Sequence, residues 1–450
     1  MTPTADLVER YSTPVPRYTS YPTAPHFHAG VTNRTYASWL QGLPADATIS
    51  LYLHIPYCDR LCWFCGCQTK HTLRYEPIAD YLRALYAEID WVSAQLDGRG
   101  LVAAIHLGGG SPTMLKPADL LALRARLAER FTIAPKAEIS IEIDPNDIDD
   151  GRYDAMAQFG LTRASIGVQD FDPKVQKAIN RLQSFEDTRD VVAAMRQRGV
   201  RSVNLDLLYG LPFQTQEGLA QTIRAALSLN PDRAALFGYA HVPWMKTHQK
   251  MLPEDALPGK HDRFAQAQLA ADLLVAGGME PIGFDHFAVP TDSLAIAART
   301  GTLKRNFQGY TDDAADALIG LGASAIGQMP QGYVQNITAT GDYSRAVLEG
   351  GVAVARGFAL TPIDRLRAEA ISALLCRYAL DPRDLEGFWG GGKALMEEAR
   401  QIALTDVDGM TAMDGECFVV TEKGKPFVRT IAAQFDTYLA AGMGRHSLAV

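Results

Sequence analysis

Long apolar runs are missing from this chain. None approaches the roughly 20 residues that span a bilayer, so a membrane-spanning protein is not expected. An excess of basic charge is missing too. Lys and Arg number 43 against 51 Asp and Glu, a formal charge of −8. That argues against broad nucleic-acid binding, which needs a basic footprint. It also means that an anionic substrate must be held by local Arg and Lys. There is no low-complexity tract and no long run of like charge. The opening residues, Met1–Arg10, have no apolar signal-peptide core, so a reducing, cytoplasmic location is expected and disulfides are not. What remains, 47% hydrophobic and 21% charged over 450 residues, is the composition of an ordinary globular protein of two or three units.

Cysteine is scarce, six in all, yet four of the six fall within ten residues. They lie in His54-Ile-Pro-Tyr-Cys-Asp-Arg-Leu-Cys-Trp-Phe-Cys-Gly-Cys67, directly after a strand-like apolar stretch. Cys58, Cys62 and Cys65 have the spacing C-x3-C-x2-C, and Cys67 follows. Three thiolates are one short of the four that saturate a 4Fe–4S cluster. A metal site one ligand short keeps a position open for chemistry, as catalytic zinc sites do. Structural zinc usually draws two separated ligand pairs, and no second Cys/His pair is evident. A catalytic cluster is the stronger reading.

Between about residues 48 and 240, strand-like runs alternate with amphipathic helical ones. Strands are expected at 49–55, 101–107, 138–143, 163–168, 202–208 and 233–239. Helices are expected at 77–96, 117–131, 185–198 and 217–229, several opening on Pro. Repeated βα units imply an α/β fold with a parallel sheet. Six units are too few to close the usual eight-stranded barrel, so an open, partial (β/α)6 barrel is expected. Polar and Gly-rich residues gather just after the strands, at Gly108–Ser111, Glu142–Pro145, Gly167–Asp170 and Asp206–Gly210. Parallel α/β folds keep their active sites on that edge, and the cysteine loop falls there too. After residue 245 the pattern loosens: Gly283–Phe287 and Arg305–Tyr310 have no helical or strand period. The expected division is an N-terminal arm (1–47), the barrel (48–285), a connecting active-site segment (286–360) and a smaller, mostly helical C-terminal domain (361–450) with a hairpin near 407–425. Val15–Thr23 is too Pro-rich for regular structure and is expected to lie across the body as an ordered arm.

Taken together, these motifs resemble the radical S-adenosylmethionine superfamily. Within it the chain resembles the oxygen-independent coproporphyrinogen III oxidases over nearly its full length. The likeness includes Arg17–Ala24, the Cys-Gly-Cys ending, Gly167–Phe171, Asn204–Pro212, Asp285–Ala288 and Arg305–Thr311. The resemblance implies one 4Fe–4S cluster on Cys58, Cys62 and Cys65, with two S-adenosylmethionine molecules in one site. The implied chemistry is reductive cleavage of S-adenosylmethionine to a 5′-deoxyadenosyl radical. That radical takes a β-hydrogen from a substrate propionate; loss of carbon dioxide and one electron leaves a vinyl group. Done at two propionates of coproporphyrinogen III, this gives protoporphyrinogen IX.

By the same resemblance, Tyr52, Gly109, Glu142 and Ile326 are expected at the cluster-bound S-adenosylmethionine. Phe64, Gly110, Ser111, Gln169, Arg181, Asp206 and Ala240 are expected at the second molecule, with Arg181 suited to its carboxylate. The family usually has Thr at the place of Ser111. His54, Cys67, Phe307 and Gln308 match positions the family needs for activity, along with Tyr52 and Glu142. A lone His in an apolar strand is often only a satisfied core residue. Phe307 is equally consistent with core, Gln308 with a loop hydrogen bond, and Cys67 with lining the cavity rather than ligating iron. Arg17, Arg299, Lys304 and Arg305 are candidate clamps for the substrate's propionates. The expected partners are the porphyrinogen, a low-potential electron donor such as flavodoxin or ferredoxin, and an electron acceptor that the sequence does not name. A monomer is the simplest expectation. The competing reading is a haem-binding chaperone relative, a subgroup without the Cys-Gly-Cys ending and much of the arm.

Overall fold

Six short apolar runs become six parallel strands: β1 (Thr48–Ile55), β2 (Leu101–Gly109), β3 (Thr132–Ile143), β4 (Arg163–Gln169), β5 (Ser202–Tyr209) and β6 (Arg233–Gly238). They lie side by side in chain order. The computed structural model describes residues 5–146, 148–388 and 390–439. Residues 1–4 of the expected arm and 440–450 of the expected C-terminal domain lie outside them. The helices between the strands start where local chemistry favours a start. Pro stands in the first turn of Glu76–Leu96 and of Pro117–Arg130, where no amide partner is lost. Ser184 and Asp187 form a reciprocal capping box on Phe185–Gln197, and Thr215 caps Gln216–Ser228.

Strand β3 begins earlier than the expected residue 138. Its pairing with β2 runs Val102↔Ile133 and resumes at Ala104↔Glu138. The irregularity between those pairs takes in Pro135, which cannot donate to a ladder. The sheet also continues past the six strands that the periodicity revealed. β7 (Ala317–Leu321) pairs parallel with β1. Beyond it lie the antiparallel strands Ile326–Met329, Gly332–Asn336 and Val354–Ala359; on the far side of β6 lie His286–Ala288 and Glu280–Ile282. The segments near 286 and 305–310, expected to lack regular structure, hold a strand and the hairpin Lys304–Asn306/Gly309–Thr311. These late strands are short and Gly-rich, so the alternation that betrays a strand never builds up. The two ends of the twelve-stranded order do not pair with each other: the barrel is partial and open.

Helix Glu76–Leu96 buries Ile78, Leu82, Leu85, Ile89, Val92 and Leu96, a stripe of helical spacing. Each such side chain contributes about 1.5–3 kcal/mol on burial. Among its described residues the C-terminal segment has three α-helices, Pro362–Arg377, Gly391–Thr405 and Val428–Ala432, and the hairpin Thr411–Asp414/Cys417–Val420. Its apolar cluster takes in Leu7, Val8, Tyr18 and Tyr21. The first 47 residues also contain two helices, Ala5–Tyr11 and Asn33–Gln41. Val15–Thr23 between them has no helix or extended strand.

Candidate active site

The loop after β1 and the C-terminal ends of β2 to β6 border one cavity of about 500 Å³. Cys58, Cys62, Cys65 and Cys67 line it, on the loop that leaves β1. Two distant segments hold that loop. From one side the Trp63 amide donates to Ile179 O at 2.9 Å, and Asn180 Nδ2 donates to Leu61 O at 2.9 Å. From the other, Lys246 Nζ donates to Cys67 O at 2.9 Å and Gln249 Nε2 to Phe64 O at 3.0 Å. His248 Nε2 lies 2.8 Å from Cys65 O; a carbonyl only accepts, so this nitrogen carries a proton.

Burial pushes the Cys58 and Cys62 thiols up, because a thiolate is costly to desolvate. At Cys62 Arg181 opposes that rise, with its Nη1 3.7 Å from Sγ. Cys65 is brought down to about 7, first by a hydrogen bond from the Cys67 thiol; the Cys67 amide adds a second at 3.4 Å. Cys67 is driven up in return. Among the described residues no three His, Cys, Asp or Glu side chains gather tightly enough to hold a single metal ion. A cluster with one thiolate per iron asks instead for thiols spread around one void. Cys58, Cys62 and Cys65 border the same void, with Arg181 beside them to offset negative charge, so the donor set fits such a cluster.

The glycine run at the end of β2 forms the adjacent wall. Gly109 has φ +108°, and a Cβ there would come within 2.3 Å of the His54 ring. Gly110 passes so close to the cysteine loop that a Cβ would meet Tyr57 O at 2.6 Å. Its amide donates to Ile55 O at 2.8 Å, and the Ser111 amide donates to Tyr57 O at 2.8 Å. Glu142, at the end of β3, accepts from the Gly109 amide at 2.9 Å and lies 3.4 Å from His106 Nε2. Burial alone would raise the Glu142 carboxyl; His106 and the Gly109 amide hold it below its usual value. Asp206, from β5, is pushed up to about 6 by burial and by the nearby Glu142 charge, despite donors from Asn204 at 2.8 Å and Ser165 at 3.1 Å. Glu142 is thus the ionised carboxylate of the pair, and Asp206 exchanges a proton near neutrality.

Gln169 ends β4 at φ +67°, next to a register shift. Left-handed backbone in a non-glycine residue is costly and concentrates at functional sites. Arg181 reaches in beside it, bonded through Nη2 to Gly167 O at 2.7 Å and through Nη1 to Asp144 at 3.0 Å. Phe64, Gly109, Gly110, Ser111, Glu142, Gln169, Arg181, Asp206 and Ala240 therefore all line the cavity with the four cysteines.

The other expected site residues stand elsewhere. Tyr52 and His54 lie behind the wall. His54 Nε2 donates to Gln68 O at 2.9 Å, which leaves Nδ1 to accept from Tyr52 OH at 2.9 Å. Burial keeps that imidazole neutral, and both ring nitrogens are engaged inside the protein. Tyr52 stacks on His106 at 5.7 Å. Ile326 lies one strand further on, against Gly320, which pairs with Tyr52. Phe307 and Gln308 form the turn of the hairpin at 304–311: Phe307 meets Phe27 and Tyr333 edge-on, and Gln308 is exposed. They are not brought to the cysteine cavity. Of the clamp candidates only Arg17 lines the cavity; Arg305 pairs with Asp285 and Arg299 with Glu280, while Lys304 borders a separate pocket. Asp144 stood in the expected polar cluster after β3 without a role of its own, and sequence reasoning missed His106, Lys246 and His248; His106 had a signal, since it alternates with Gly108 along β2.

Residues 52–226 match the Radical SAM superfamily. The oxygen-independent coproporphyrinogen III oxidase of Paracoccus denitrificans is 46% identical over 97% of this chain and 96% of its own. The Escherichia coli enzyme of the same name is 39% identical over 96% of this chain and 95% of its own. The solved structure of coproporphyrinogen III oxidase from Escherichia coli, described as a radical SAM enzyme, superposes with a TM-score of 0.90 at 38% identity. It covers 94% of this chain and 97% of that one. This chain belongs to the oxygen-independent coproporphyrinogen III oxidase family of the radical S-adenosylmethionine superfamily.

Proposed function

We propose that this protein converts two propionates of coproporphyrinogen III to vinyl groups without oxygen, giving protoporphyrinogen IX. The observation that carries the reading is the convergence, in one cavity, of the three cysteines with Gly109–Ser111, Glu142, Gln169 and Asp206. A structural metal site has no use for that second set. When bound, a 4Fe–4S cluster and S-adenosylmethionine supply a 5′-deoxyadenosyl radical able to take hydrogen from an unactivated carbon. Cys58, Cys62 and Cys65 are its ligands in this reading.

The remaining roles belong to the chain's own groups. Glu142, held ionised by His106 and the Gly109 amide, accepts hydrogen bonds from an ammonium or ribose hydroxyl of the first S-adenosylmethionine. Gly109 lets that ligand approach the backbone. Tyr52 and His54 fix Gly109 from behind. Two S-adenosylmethionine molecules are supported by a second group of contacts: Phe64 on the cysteine loop, Gly110 and Ser111 after β2, and Gln169, Arg181, Asp206 and Ala240 toward the ends of β4 to β6. Arg181, already bonded to Asp144, sets the charge beside Cys62 and orients a carboxylate. Phe307 and Gln308, away from the cysteines, act at the substrate in this reading rather than at the cofactor. A low-potential flavodoxin or ferredoxin supplies the electron.

The test is anaerobic reconstitution with iron and sulfide, then incubation with coproporphyrinogen III, S-adenosylmethionine, a reductant and a cell extract. Mass spectrometry should find protoporphyrinogen IX and two 5′-deoxyadenosines per product. Brown protein that cleaves S-adenosylmethionine but leaves the porphyrinogen untouched overturns the reading.

A further inference from the structure

We propose that Arg17, carried into the cavity by the N-terminal arm, is the anchor for one propionate carboxylate of the substrate; this rests on the function proposed above. Arg17 lines the cavity beside Phe237, Gly238 and Tyr239. One bond is seen for its guanidinium, from Nη2 to Gly238 O at 2.7 Å. A carbonyl solvates a cation but does not neutralise it. The nearby carboxylate is spoken for: Asp285 takes Arg305 in a two-pronged pair at 3.3 and 3.2 Å and the His286 ring at 2.7 Å. Arg263, the next cation, likewise rests on a carbonyl, Tyr239 O at 2.8 Å. Neither Arg17 nor Arg263 has a carboxylate partner among the described residues. Desolvation, with the facing Arg305 and Arg263 charges, outweighs the help of the nearby Asp285 and makes Arg17 costly to keep ionised; a guanidinium nevertheless stays charged.

A protein with more acidic than basic residues has thus left a cation unmatched at the wall of its reaction cavity. Buried charge of this kind is unfavourable until an opposite charge arrives. The arm is fastened so that the cation cannot swing away. Arg429 donates to Val15 O at 2.7 Å and Pro16 O at 3.2 Å, and Arg305 Nε donates to Arg17 O at 3.3 Å. A planar fork held in place suits a two-pronged carboxylate bond. Two kinds of molecule offer carboxylates, S-adenosylmethionine with one and the porphyrinogen with four. In the reading above Arg181 serves the carboxylate of the second S-adenosylmethionine, and the first lies on the Gly109 and Glu142 side, which leaves the porphyrinogen for Arg17. Arg17 stands at the end of β6, across the sheet order from Gly109 and Glu142 on β2 and β3. Phe237 and Leu208 beside it offer apolar surface to a tetrapyrrole.

The experiment compares wild type, Arg17→Gln and Arg17→Lys, each reconstituted with iron and sulfide. Three quantities are read: binding of coproporphyrin III (the fluorescent oxidised form), binding of labelled S-adenosylmethionine, and KM and kcat for coproporphyrinogen III. Arg17→Gln should weaken porphyrin binding and raise KM at least tenfold, with S-adenosylmethionine binding within twofold of wild type. Arg17→Lys, which keeps charge but loses the fork, should fall between; it decides the matter if the Gln variant does not fold. Coproporphyrin tetramethyl ester, which has no carboxylates, should bind all three alike. Unchanged porphyrin affinity in a folded variant overturns the anchor, as does lost S-adenosylmethionine affinity with porphyrin binding intact. A wild type that neither binds nor converts the tetracarboxylate sinks the functional reading instead.

Discussion

Glu88 is a carboxylate with no access to solvent in the middle of helix Glu76–Leu96. Three donors meet it: the Gly322 amide at 2.7 Å and Tyr343 OH at 2.6 Å on one oxygen, and Asn336 Nδ2 at 2.6 Å on the other. These favour the charged form, but burial outweighs them and raises the carboxyl from 4.5 to about 7. Between those values the native protein holds a proton that the unfolded chain has released. Stability on this account is therefore greatest at acid pH, falls as pH rises from 4.5 to 7, and is level above. At 1.36 kcal/mol per pH unit the fall is about 3 kcal/mol. Glu88→Gln is the neutral isostere. Its N–H meets the same neighbour as the proton of neutral Glu88, the side chain of Asn336, which must turn to accept it. The variant should thus match wild type near pH 5 and exceed it by about 3 kcal/mol at pH 8. Urea unfolding of both proteins at pH 5, 6, 7 and 8 measures this. A Gln variant that is less stable than wild type at pH 8 refutes the reasoning, because the three hydrogen bonds would then have won over desolvation.

Gly109→Ala forces a methyl group to 2.3 Å from the His54 ring at φ +108°. Losing the two His54 hydrogen bonds and straining the backbone should cost about 3 kcal/mol, read as a lower Tm with weakened S-adenosylmethionine binding. Cys58→Ser, Cys62→Ser and Cys65→Ser should each lose the brown absorbance and most of the iron after reconstitution. Cys376→Ser, altering a buried thiol packed among apolar side chains away from the cavity, should keep both. Asp144→Asn leaves the Arg181 guanidinium, 9% exposed, without its carboxylate. Removing one partner of so buried a pair costs about 3 kcal/mol, measurable as a drop in Tm that Asp144→Glu partly restores.

The sequence made the barrel legible because each of β1 to β6 is apolar enough to be buried between helices, and each helix begins on a recognisable cap or Pro. The cysteine spacing and the post-strand polar residues then marked one edge as the site. What stayed hidden has physical reasons. Strands such as Ile326–Met329 and Gly332–Asn336 are too short and Gly-rich for a period to appear, so the sheet looked half its true width. Lys246 and His248 hold the cysteine loop through backbone carbonyls nearly 180 residues earlier in the chain, and no local pattern announces such a bond. Phe307 and Gln308 show the opposite case. Resemblance singled them out, while the fold keeps them on a hairpin apart from the cysteines.

The arm explains why the cavity needs both ends of the chain. Ordering an irregular stretch costs roughly 1–2 kcal/mol per residue, and Val15–Thr23 forms no ladder to offset it. Burial of Tyr18 and Tyr21 in the C-terminal cluster returns about 2–3 kcal/mol each. The bond from Tyr18 OH to Asp436 at 3.0 Å and those from Arg429 to Val15 and Pro16 add about 1 kcal/mol apiece. These contacts offset much of the entropy cost, and they come from the C-terminal segment and not from the arm's own sequence. That segment's contribution to the site is positional: through Arg429 it holds the backbone on which Arg17 is mounted.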